Sequence, residues 1–411
     1  MLYKNKFTGY EGNLWKFYAI RALAGLRFIA PINLLYYLSF NLSYAQIGLI
    51  ELAASITILV LEVPTGIFAD LLGRKRSMVV SLLISTTAFI IMSFGGSLTA
   101  FMIGWAFSGA ADAFQSGADE ALLYDTLIKI NRREDYLKIK SRFILVSTVT
   151  IIFGSITGAY FYTVNKRLPW ILYTICIAFS GIIFASVKEP KVLEVDCTES
   201  KPLENFKVSL KLSLRNKTVI WLILFAIILE LPMFSFCTLM SQPYLLSRGF
   251  GIASIGFVFA VIRGCSGLFS SMSHMLEQKL GEKKSFLIVT FLFVVLFASA
   301  GLFRSKGAIL IVIALYTLAN YKGIIIDNYI NHNIDSSSRA TVLSIQSFID
   351  NIIKTSLIVF IGHLADLYSI DVTLISLGVS LGLLSIPFLI LRYSNIFSRK
   401  KLTAKPENSI N

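Results

Sequence analysis

Twelve apolar stretches, each long enough to cross about 30 Å of hydrocarbon, follow one another along these 411 residues. They run at 17–40, 44–68, 77–95, 99–128, 142–164, 169–187, 217–245, 252–275, 284–303, 307–330, 340–365 and 369–393. Inside hydrocarbon, backbone N–H and C=O groups must find partners within their own segment, so stretches of this length predict helices. The charge content agrees. Only 15% of residues are charged, against about 25% in soluble proteins, and 55% are hydrophobic. The predicted fold class is an all-α membrane protein with twelve transmembrane helices.

The net charge of +14 does not read as a nucleic-acid surface, because Lys and Arg gather in short connections beside the apolar runs. Threading the twelve segments back and forth puts 27 of these residues on one side and 5 on the other. That asymmetry predicts both termini in the cytoplasm. Residues 1–14 are polar and the first apolar run has no cleavage site, so no cleavable signal is expected. A polar hinge at 188–216 divides the chain into predicted bundles at 1–187 and 217–393, with a cytoplasmic tail at 394–411. Within the hinge, Phe206, Leu210 and Leu214 share helical spacing, as do Lys207, Lys211 and Arg215. They predict either a short helix lying on the inner leaflet or a solvated linker. Three histidines and four cysteines are scattered with no metal-ligand spacing, and no phosphate-binding glycine loop occurs, so neither metal nor cofactor is expected.

Between the second and third apolar runs stands Gly66-Ile67-Phe68-Ala69-Asp70-Leu71-Leu72-Gly73-Arg74-Lys75-Arg76. This stretch resembles the loop G-x-L-a-D-r-x-G-r-k of the major facilitator superfamily, matching at Gly66, Ala69, Asp70, Gly73, Arg74 and Lys75. Phe68 and Leu71 stand where Leu and Arg are usual. Gly66 would let two helices approach closely, and Gly73 would take the positive φ of a sharp reversal. Asp70 would face a helix N-terminus, and Arg74 would reach a carboxylate. The resemblance implies that this carboxylate lies at the inner end of helix 4, where Glu120 and Asp125 are candidates, and that the pair acts as a latch broken when the cytoplasmic side opens. The two halves also echo each other at an offset of 208: Gly73, Lys75 and Ser77 fall on Gly281, Lys283 and Ser285. Parallel repeats forming two pseudo-symmetric six-helix bundles are therefore expected.

Several charges sit where lipid would otherwise be. At 1.5 Å per residue Arg27 lies about 15 Å into the first helix. Asp112, Glu230, Arg263 and Lys322 are similarly deep, and Asp350 and Lys354 are spaced to pair along one helix face. Each costs a few kcal/mol on insertion scales, so they must face water or one another. The resemblance implies that helices 1, 4, 7 and 10 line a central cavity, and these carry Arg27, Asp112, Glu230 and Lys322. Two readings stand: a polar substrate and coupling site with Asp112 or Glu230 as proton carrier, or structural pairs of Arg27 with Asp112 and Glu230 with Lys322.

Proton-coupled exporters of this superfamily carry an arginine in helix 4 where Trp105 stands here, four residues before Gly109. They also carry G-P in helix 5 where this chain has Gly158-Ala159. The expected activity is alternating-access export of a small amphipathic compound by proton antiport, without enzymatic chemistry. The alternative is uptake of a polar nutrient by proton symport. A membrane enzyme or sensor is the rival from another class; it would gather reactive groups at one membrane face or carry a soluble domain. A monomer in a bacterial cytoplasmic membrane is expected, the abundant Ile, Lys, Asn and Ser being in keeping with an AT-rich genome.

Overall fold

The computed structural model describes residues 9–190, 217–334 and 339–393. Every element among them is helical. In chain order they are α1 (Gly12–Gly25), α2 (Asn33–Leu38), α3 (Tyr44–Leu72), α4 (Arg74–Phe94), α5 (Leu98–Gln115), α6 (Ala118–Lys129), α7 (Tyr136–Val164) and α8 (Leu168–Ala185). There follow α9 (Lys217–Ser247), α10 (Ile252–Leu302), α11 (Ala308–His332), α12 (Arg339–Leu367) and α13 (Ile370–Tyr393). Among the described residues nine helices are long and apolar enough to span a membrane. The other three expected spans fall on residues 12–38, interrupted at 26–32, on 98–115 and on 252–274. The hinge helix expected around 206–214 lies outside the described residues, as does the tail.

The elements depart from the expected spans at four places, each with a local cause. The first span is broken at 26–32, between α1 and α2. Pro31 has no N–H to give and pushes Ala30 away from helical geometry. The fourth span ends at Gln115, and the chain turns through Ser116 and Gly117 (φ 72°) into a separate α6. The fifth begins at Tyr136, six residues before its expected start, because its first turns are polar and sit beyond the apolar run. In α10 the eighth and ninth spans meet at Gly281, whose φ of 70° reverses the chain without a loop. Gly73, its counterpart 208 residues earlier, has φ 98°. Both positions need glycine because a β-carbon is disfavoured there.

Packing divides the described chain into two compact units. The first takes in residues 9–190 together with 238–263 and 355–367; the second takes in 217–237, 264–334, 339–354 and 368–393. These boundaries run through α9, α10 and α12 instead of following the hinge. Within the first unit α5 packs against α3 and α4, α4 against α8, and α1 against α7 and α8. A β-carbon at Gly109 would lie 2.4 Å from the Ala54 carbonyl, which shows how closely α5 and α3 approach. Its core is aromatic: Tyr36, Tyr37, Phe101 and Trp170 are fully buried and in mutual ring contact. Within the second unit α9 packs on α11 and α13. There Phe225 and Phe286 are buried beside Trp221, and Trp221 Nε1 donates to the Phe388 carbonyl at 2.9 Å.

Candidate substrate and coupling site

Of the loop residues, Arg74 makes an ion pair with Asp125 on α6. Glu120, the other candidate, instead pairs with Lys140 on α7 at 2.7 Å. A third acid of α6, Asp119, accepts from Arg21 of α1 at 2.7 Å. So α6 is tied by three carboxylates to three different helices, α4, α7 and α1. Gly66 corrects the sequence reading: nothing lies within 4 Å of where its β-carbon would be, so it brings no helices together. Asp70 is exposed, and the neighbouring α4 N-terminus is served by Glu189, which accepts from Lys75 N at 3.0 Å. A carboxylate there meets the unpaired amides and positive end of the helix. The second unit reverses the polarity at the equivalent place, where Arg392 donates to Glu282 at 3.0 Å, beside Gly281.

Arg27 sits in the break between α1 and α2. The break is gripped by α7: a β-carbon at Gly158 would lie 2.0 Å from the Phe28 carbonyl, and one at Gly154 about 3.0 Å from Arg27 N. Small residues spaced four apart allow this backbone-to-backbone approach. Arg27 is exposed, and its charge is felt by Asp112 on α5 and by Tyr173 on α8. Trp105, at the position of the exporters' arginine, donates from Nε1 to the Tyr37 hydroxyl at 2.6 Å.

The same break is plugged by a residue the sequence reading passed over. Gln242 of α9 is buried, accepts from Leu34 N and Leu35 N at 3.0 and 3.2 Å, and donates to the Ala30 carbonyl and Asn33 Oδ1. It thus caps α2, whose first amides have no partner in their own helix. Asp366 of α12 likewise accepts from Tyr44 N and Ala45 N at the start of α3, at 2.8 and 2.9 Å. Alongside, a β-carbon at Gly362 would lie 2.6 Å from the Tyr44 carbonyl. These contacts all lie within the first unit, at the end away from the basic 70–76 loop. A lone amide in the apolar run 217–245 was the signal available for Gln242; Asp366 had none, because its partner is backbone.

In the second unit the deep charges converge. Lys322 of α11, 5% exposed, pairs with Glu230 of α9. On α12 Lys354 pairs with Asp350 at 2.6 Å, and its ammonium lies 4.9 Å from the ring centre of Phe234. Phe234 is one turn beyond Glu230 on the same face of α9. Lys322 also feels the charges of Asp350, Lys354 and Asp327. Arg263 is exposed in the first unit. Most of the aromatic residues on these helices serve packing: Phe28, Tyr36, Tyr37 and Trp221 are buried, and Phe114 makes an edge contact with Phe68.

The family profile of the Major Facilitator Superfamily matches residues 18–354. The chain belongs to this superfamily. This transporter is 27% identical over 341 residues to YxaM of Bacillus subtilis (strain 168), described as an uncharacterized MFS-type transporter; the match covers 80% of this chain and 84% of that one. Its fold is that of the nucleoside transporter NupG (TM-score 0.78, 12% identity, 93% of this chain and 98% of that one). It is shared by a bacterial homologue of the human lysosomal transporter Spinster (0.75, 13%, 94% and 97%) and by a D-xylose–proton symporter (0.64, 11%, 92% and 97%). The transporter is therefore a multi-pass membrane carrier of small molecules and not an enzyme.

Proposed function

We propose that the transporter couples proton movement to the uptake of a small, polar or charged solute across a bacterial cytoplasmic membrane, with both termini inside. The observation that carries this reading is the charged cluster Glu230, Lys322, Asp350 and Lys354 on three apolar helices, with Asp112 on α5 and Arg27 in the break between α1 and α2. Ionised groups at such depth persist when they handle charge or a charged solute. Alternating access would come from rocking of residues 1–187 against 217–393, with 188–216 as the linker and one chain sufficient. Asp112 and Glu230 are the proton-carrying candidates, each beside a cation.

Export by proton antiport is the second reading, and three observations weigh against it. Trp105 is engaged with Tyr37, and the helix-5 glycines close on the break between α1 and α2 without the exporters' proline. Most of the aromatic side chains on the helices expected to line a cavity are spent on packing and so do not form an apolar wall for amphiphiles. The test is solute movement in proteoliposomes under an imposed pH gradient, with sugars, nucleosides, carboxylates, dyes and antibiotics as solutes. Accumulation on the alkaline side, abolished in Asp112→Asn or Glu230→Gln, supports the proposal. Depletion of dyes and antibiotics would establish export instead, and indifference to the gradient would end proton coupling.

A further inference from the structure

We propose that the transported solute bears a carboxylate, and that this carboxylate takes the place of Glu230 on Lys322 when Glu230 takes up a proton. This rests on the proton-coupled reading above and adds a substrate class and a point of coupling to it. Lys322 and Glu230 are unequally placed: 6% of the lysine side chain is exposed against 33% of the glutamate. The acid is therefore the more accessible partner, while the ammonium is held where an unpaired charge is strongly disfavoured. A buried ammonium that loses its carboxylate must find another anion, give up its proton or return to the first. Asp350, whose charge Lys322 also feels, is shared with Lys354 along α12. Asp327, five residues along α11, is exposed on its own helix. The other ion pair against α9, Arg392 with Glu282, sits at Thr218, twelve residues from Glu230. The vacancy on Lys322 is thus best filled from outside the protein, and Phe234 offers an apolar surface one turn from the pair.

The exchange balances in charge and atoms. One proton joins the Glu230 carboxylate, one solute carboxylate enters, and the cluster keeps its net charge. Proton and solute then bind together and cross together, which is symport. Above the pKa of Glu230 each bound solute must bring a proton, so affinity falls by up to tenfold for each unit of rising pH.

The experiment measures binding to the purified full-length protein in detergent between pH 5.5 and 8.5. The probes are acetate, butyrate, hexanoate, lactate and benzoate, each beside its uncharged amide. Wild type is expected to bind at least one carboxylate over its amide by tenfold or more, more tightly at low pH, and to take up protons from a weak buffer as it does so. Glu230→Gln, a mimic of the protonated acid, should bind the same carboxylate with an affinity flat in pH. Lys322→Gln should lose it while Lys322→Arg keeps it, with gel-filtration profiles confirming that both fold. Binding of no carboxylate, equal binding of amides, or a pH dependence that survives in Glu230→Gln would overturn the proposal; the last would mean that the solute carries its own proton. Gradient-driven accumulation of an uncharged solute would leave the coupling reading standing while removing this one, and a transporter blind to the gradient would remove both.

Discussion

The smallest decisive feature is a hydrogen atom at Gly158. A side chain there would drive into the Phe28 carbonyl, a backbone group that cannot rotate aside, at the segment that holds Arg27. Gly158→Val is expected to lower stability by about 1–3 kcal/mol through overpacking, seen as a fall in the midpoint of thermal unfolding in detergent. Gly66→Ala, at a position open to 4 Å, should leave that midpoint nearly unchanged. Equal effects would mean that α7 does not grip the break. The motif reading gave the close helix approach to Gly66, whereas the close approach occurs at Gly158. A motif match says which residue type a position carries, whereas the space around it depends on which helix arrives there.

Among the elements, α6 has the least ordinary attachments. Twelve residues long, it is set off by Ser116 and Gly117 and fastened by ion pairs to α1, α4 and α7. Partly exposed pairs of this kind contribute about 0–1 kcal/mol each, so they matter less for stability than for where α6 lies. The turn at Ser116 and Gly117 begins four residues after Asp112, whose carbonyl accepts the Ser116 N–H at 2.9 Å. A change of charge at Asp112 is thereby placed to act on α6. Arg74→Asp is expected to lower the transport rate at least tenfold with little change in thermal midpoint, and the exchanged pair Arg74→Asp with Asp125→Arg to recover a measurable part of it. An unchanged rate in the single variant would reduce the pair to a surface contact. The acids at 119, 120 and 125 were legible as a cluster; their separate partners were not, since three helices must first be packed around α6.

For the molecule as a whole, the end of the first unit away from the basic 70–76 loop is held by side chains of α9 and α12 serving helix N-termini of α2 and α3. The carboxylate of Asp366 at the start of α3 contributes about 0.5–1 kcal/mol by its charge, a two- to fivefold bias towards the arrangement in which this contact is made. In Asp366→Ala, a cysteine placed at Ala45 should react with a water-soluble maleimide two to five times faster than in the parent. No acceleration would mean that glycine packing at Gly48 and Gly362 alone holds this end together.

The sequence by itself determined the helical membrane class and the family, because hydropathy and motif spacing are local properties of the chain. It also placed the two positive-φ glycines 208 residues apart, since no other residue takes that conformation freely. Only the tertiary structure decided who meets whom. It joined Glu230 and Lys322 to Asp350 and Lys354, gave the α4 N-terminus to Glu189 in place of Asp70, and brought Gln242 to the break in the first span. Those pairings arise from contacts between helices far apart in the chain, where partners are backbone amides or charges of compatible reach, and nothing in the local pattern of residues selects among them.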